Sequence, residues 1–260
     1  MKRIVNFSFG LYTAFVFAMA GNAIASDCPL CTAVERGDIL AVNRLIANSP
    51  NLNVSHDLNL PHGEFGRTVL MTAAHGGHFA IVKTLLSAGA ILEATDKSGD
   101  TALMKAVGAG HAEIVKVLLS AGANSKAIDK NGVNSLMLAS GAQIVDLQKL
   151  ISSTSSDKFY FEINRELKEV VERLLAEQVN TMKVLLEAAS SEDINALDNT
   201  GWTALMYAAK IGSANATRLL INHDADVNLA NADGWTALDI AEEIGDRGVA
   251  RILRNAGAEQ

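Results

Sequence analysis

The chain has 260 residues, of which 49% are hydrophobic, 20% charged and 5% aromatic, with only three prolines. That balance excludes a disordered or collagen-like chain and points to an ordered, helix-rich protein. A net charge of −7 argues against nucleic acid and anionic membrane surfaces as partners, since both require a basic footprint.

The first 25 residues read as a secretory signal peptide. Lys2 and Arg3 give a basic start, an apolar stretch is clearest from Leu11 to Ala20, and Ala23-Ile24-Ala25 supplies the small residues that a signal peptidase reads. Cleavage is expected after Ala25, which leaves residues 26–260 as the mature body. A retained N-terminal anchor is the alternative, but Asn6 and Ser8 interrupt the stretch, which falls short of the ~20 residues that span a bilayer. No later segment is apolar enough to span. Cys28 and Cys31 follow at once, the only cysteines, spaced Cys-x-x-Cys. In an exported chain a disulfide between them is expected. Redox activity is the alternative, without the βαβ pattern that usually surrounds it.

Beyond that point a fixed period dominates the chain. Thr-Val-Leu-Met at 68–71 returns as Thr-Ala-Leu-Met at 101–104, Asn-Ser-Leu-Met at 134–137, Thr-Ala-Leu-Met at 203–206 and Thr-Ala-Leu-Asp at 236–239. The spacings are 33, 33, 69 and 33 residues, and a glycine stands two residues ahead of each tetrad, at Gly66, Gly99, Gly132, Gly201 and Gly234. Each unit reads as two short helices and an extended turn. Thr68, Thr101, Thr203 and Thr236 are placed to cap a first helix. Ile81, Val82, Leu85 and Leu86, repeated as Ile114, Val115, Leu118 and Leu119, give the apolar stripe of a second. Gly89 and Gly122 suit its C-terminal end, and the turn glycines suit a positive φ, with Asp96, Asp129 and Asp198 three residues ahead of three of them.

These marks resemble the ankyrin repeat. Asp96 through His111 matches the family pattern Asp-x-x-Gly-x-Thr-Pro-Leu-His-x-Ala-Ala-x-x-Gly-His, with Ala102 and Met104 in place of proline and histidine. The resemblance implies an all-α solenoid of about seven helix-turn-helix units with short β-turn fingers, over 28–65, 66–98, 99–131, 132–165, 166–200, 201–233 and 234–260. The fourth is irregular, with a serine tract at 152–156 followed by Phe159-Tyr160-Phe161, and the fifth is degenerate. Such units bury their apolar faces only against one another, so they form a single array. Glu35, Arg36 and Arg44 at one end and Arg247, Arg251 and Arg254 at the other suit the polar outer faces of terminal units.

The chemistry-bearing residues have modest readings. Met71, Met104, Met137 and Met206 suit flexible filling of the inter-repeat core, with a soft copper site as the alternative. His56, His62, His75 and His78 lack zinc-ligand spacing. No phosphate loop, nucleophile elbow or His-Glu-x-x-His stands in the chain, so no enzyme, cofactor or metal is expected.

The resemblance instead implies a protein partner on the face made by the turn tips and first helices, and a monomer when free. The positions concerned include Phe65, Arg67, His75, Lys97, Asp100, Trp202, Tyr207, Lys210 and Trp235, with Val133 and Glu243 at equivalent places. Trp202 and Trp235 are the only tryptophans and the strongest hot-spot candidates; a scaffold role is their alternative. The functional expectation is an adaptor, inhibitor or immunity protein for a periplasmic enzyme. A stress-related accessory (catalase support, or metal and redox handling) and a secreted effector that binds host proteins are the alternatives.

Overall fold

The computed structural model describes residues 28–48, 59, 61–141 and 176–259. In that order come α1 (Pro29–Glu35), α2 (Ile39–Ala47), α3 (Val69–His75), α4 (Phe79–Ser87), α5 (Ala102–Gly108), α6 (Ala112–Ser120) and α7 (Ser135–Ala139). Then follow α8 (described over 176–186), α9 (Ser191–Ile194), α10 (Ala204–Lys210), α11 (Ala214–Ile221), α12 (Ala237–Glu243) and α13 (Arg247–Asn255). The signal segment, the serine tract and the aromatic cluster lie outside the described residues.

Each first helix starts where its hydroxyl or amide cap stands. Thr68, Thr101 and Thr203 accept the amides of Met71, Met104 and Met206 at 3.3, 3.3 and 3.2 Å. Asn134 does the same for Met137 at 2.9 Å, and Thr236 for Asp239 at 3.2 Å. Such a cap stabilises a helix end by about 1 kcal/mol. These helices are only five to seven residues long, too short to persist alone in water. Tertiary packing must therefore hold them.

That packing runs from unit to unit. First helices pack in the order α1, α3, α5, α7, α10, α12, and among the second helices α2 lies on α4, α4 on α6 and α11 on α13. Met71, Met104, Met137 and Met206 are fully buried in this seam, with Leu70, Leu103 and Leu205 beside them. Burying a side chain of this size stabilises by about 1.5–3 kcal/mol. Because the seam lies between units, that energy belongs to interfaces rather than to any single repeat.

Ahead of each first helix the chain makes a finger, closed by antiparallel bridges at His62–Arg67, Ile128–Asn134 and Ala230–Thr236. Apart from such bridges, no strand occurs among the described residues. Each finger is tied to the next by one backbone hydrogen bond: Lys97 N to Phe65 O, Lys130 N to Ser98 O, Asn199 N to Asn131 O and Ala232 N to Thr200 O, at 2.9–3.1 Å. Two demands fall on the turn glycines at once. Gly132 has φ +79, and a Cβ there would sit 2.9 Å from the Asn199 amide nitrogen. Only glycine meets both.

The finger ladder also settles how the stack crosses its longest spacing. The turn at 129–133 stacks directly on the turn at 198–202, so one step of the stack spans the 69 residues from Gly132 to Gly201. The units expected over 132–165 and 166–200 share that step, with α7 as its described first helix and α8 as its second. Register at the opposite end agrees. The His78 ring covers Gly37, the His111 ring covers Gly77, and Glu177, in α8, covers Gly110 in the same manner.

Candidate protein-binding site

The finger tips and the exposed edges of the first helices form one continuous face. Glu64, Phe65, Lys97, Ser98, Lys130, Asn131, Asn199, Thr200 and Asp233 are exposed along it. Behind each tip an acid or amide folds the turn. Asp96 Oδ1 accepts the Ser98 and Asp100 amides at 2.8 and 3.1 Å, and Asp198 Oδ1 accepts the Thr200 and Trp202 amides at 2.8 and 2.9 Å. Asn231 takes the same role in the last unit, for Asp233 and Trp235.

Nine residues after the turn acid, the first helix sends a side chain back to it. Lys105 pairs with Asp96 at 2.7 Å and with Asp100. Tyr207 donates its hydroxyl to Asp198 at 2.6 Å. Burial pushes the Asp96 carboxyl up, but the Lys105 hydrogen bond, the turn amides and the Lys105 charge outweigh it and hold the group below its ordinary value. Burial opposes ionisation of Asp198 too, and the Tyr207 hydroxyl with the Trp202 and Thr200 donors overrides it. The Tyr207 hydroxyl is raised above its ordinary range by burial and by its bond to Asp198. Tyr207 also stacks on Trp202, ring centroids 5.1 Å apart. Trp202 is consequently half-buried and braced.

The expected contact residues thus fall into three groups. Phe65 and Arg67 meet, the guanidinium 5.0 Å from the ring centroid, and present an aromatic-cationic edge. Trp235 is 39% exposed and stands free of the ring contact that braces Trp202. Lys210 reaches Glu243 at 3.7 Å across the last two units.

Three positions differ from expectation. Val133 is buried, because the finger closes over it toward the next unit. Asp100 is half-buried and taken up by Lys105. His75, expected at an exposed place, is mostly buried; burial first, then the charges of Arg67, Lys105 and His111, lower its pKa to about 4. His111 donates its Nε2 hydrogen to the His75 carbonyl at 3.1 Å, which ties one unit to the next.

At the N-terminal end Cys28 and Cys31 are joined by a disulfide, with Cα atoms 5.3 Å apart. Cys31 is buried in the first unit and Cys28 Sγ accepts its amide. The pair sits at the edge of the core, where Cys28 caps α1. Among the described residues, no group of three or more His, Cys, Asp or Glu side chains is placed to hold a metal. No described helix is long and apolar enough to cross a membrane.

A stack of capped helix pairs with an open ladder of fingers defines a repeat solenoid with an exposed face of finger tips. The family description "Ankyrin repeats (3 copies)" matches residues 30–129, 90–158 and 163–260, and the chain belongs to the ankyrin-repeat family. Among solved structures it is similar to a chain in "Bd0816 Predatory Endopeptidase from Bdellovibrio bacteriovorus in complex with immunity protein Bd3460". That similarity has 30% identity and a TM-score of 0.66, and covers 88% of this chain and 98% of the other. A comparison with curated proteins returns no match.

Proposed function

We propose that this chain is a non-catalytic binding protein that engages an endopeptidase-class enzyme as its inhibitor or immunity protein. The observation that carries the reading is the similarity over 98% of a chain from an endopeptidase–immunity protein complex, read here as the immunity member of that pair. The finger face supplies a surface of the right kind: Phe65 over Arg67 at one end, Trp202 and Trp235 at the other. Fold alone would not license the step. A shared partner class is supported instead by identity and near-complete coverage of the relative.

The signal-like first residues support a periplasmic setting for this activity, where the Cys28–Cys31 bridge would persist.

The test is affinity capture from a periplasmic extract with the mature chain, followed by assay of the captured peptidase. Wild type should retain one defined endopeptidase and suppress its activity. The double variant Trp202→Ala, Trp235→Ala should weaken capture at least tenfold, each hot-spot ring contributing about 2 kcal/mol, with helical circular dichroism unchanged. Retention of no peptidase by the wild-type chain would sink the reading.

A further inference from the structure

Whole-chain charge conceals a strong segregation. The described second helices, α2, α4, α6, α8, α11 and α13, carry eight lysines and arginines against two glutamates, in a chain whose net charge is −7. Five of these cations share one register position, directly after the second residue of each buried pair: Lys83, Lys116, Lys183, Arg218 and Arg251. All five are exposed, and none has a carboxylate partner among the described residues. Packed helices lie roughly 8–10 Å apart, so the five make a row on the order of 40 Å long on the face opposite the fingers.

Glu113 and Glu177 lie on the second helices, and Asp38, Asp246 and Glu187 border them, but a second group of acids lies on the other face. Asp96, Asp100, Asp198, Asp233, Asp239 and Glu243 belong to the fingers and the first helices. They stand roughly 20 Å from the row, two helix layers away. A Debye length at physiological salt is about 8 Å. A surface that touches the second helices therefore feels the row, and the acidic finger side is screened from it.

We infer that the second-helix face is a docking surface for an anionic phospholipid bilayer. Two apolar side chains at the N-terminal end of the row decide for a bilayer over a flexible polyanion. Phe79 is 41% exposed and lies under Lys83, whose Nζ is 5.8 Å from its ring centroid. Leu40, 72% exposed on the adjacent α2, precedes Arg44 by one helical turn and so shares its face. A cation flanked by an exposed aromatic or aliphatic group on a helix lying flat is the arrangement that enters a headgroup layer. Bound this way, the solenoid presents its fingers away from the membrane, toward a soluble partner. The exclusion of anionic membranes drawn from net charge fails because that charge is not evenly spread.

The experiment is co-sedimentation of the full mature chain with phosphatidylcholine vesicles, with and without phosphatidylglycerol. Binding is expected only where phosphatidylglycerol is present, falling as salt rises. The triple variant Lys83→Gln, Lys116→Gln, Lys183→Gln alters exposed positions, and its fold is checked by circular dichroism. It should bind about a hundredfold more weakly, about fivefold for each cation removed. A second variant, Leu40→Ser with Phe79→Ser, should weaken vesicle binding and leave binding to a soluble sulfated polysaccharide unchanged. No binding to the anionic vesicles, equal binding by the triple variant, or tighter binding to the polysaccharide than to vesicles would overturn the inference. None of these readouts depends on the peptidase, so failure of the partner reading would be separately visible.

Discussion

At His75 burial, with the charges of Arg67, Lys105 and His111 nearby, holds a titratable ring neutral down to about pH 4. The unfolded chain takes up that proton near the ordinary value of 6.5. Between those two values the unfolded state binds more protons, so stability falls as pH drops through this window and changes no further below it. The shift corresponds to about 3 kcal/mol at most. Asp96 and Asp198, both held below their ordinary value, add a loss at lower pH, since the stability they contribute is present above the unfolded value and disappears as pH falls through the folded one. Urea unfolding over that range should show both phases, and His75→Gln should flatten the upper one alone; an unchanged upper phase would exclude His75 as its source. The tip residues were legible in the sequence because the tetrad and its glycine fix the register of each finger. The contacts of Lys105 with Asp96 and Tyr207 with Asp198 were not. They join residues nine apart through a turn that exists only once the finger folds back on the helix. The burial of His75 and Val133 likewise depends on neighbouring units that periodicity cannot weigh.

Helix starts were readable because capping is local: Thr68, Thr101, Thr203 and Thr236 all cap where their hydroxyls suggested. The spacing of 69 residues was harder, since period alone divides it into two units and a remainder. Register came from contacts across the gap, Asn199 on Asn131 and Glu177 on Gly110. The first-helix position in that step is held by Leu136 and Met137, and the second by Met182, Leu185 and Leu186, all buried in the common core. A chain lacking residues 142–175 should therefore keep the stack. The expected result is one cooperative unfolding transition. Separate transitions for the two halves would show that the removed segment is needed to join them.

The whole molecule gains its stability from steps between neighbours, so its two ends can open separately. The exposed cations of α13 and the polar ends of α1 and α2 keep those ends soluble. Placement of the two tryptophans turns this into something measurable. Trp202 and Trp235 stand on the last two fingers, so intrinsic emission reports on that end and is blind to the units built on α1 to α6. Trp202, pressed on Tyr207, should emit to the blue of Trp235. As denaturant rises, emission should track fraying from the C-terminus while far-ultraviolet ellipticity averages all the units. Coincident curves would mean that the array melts as a block. The same two indoles, without any added dye, would register a partner arriving at that end of the fingers.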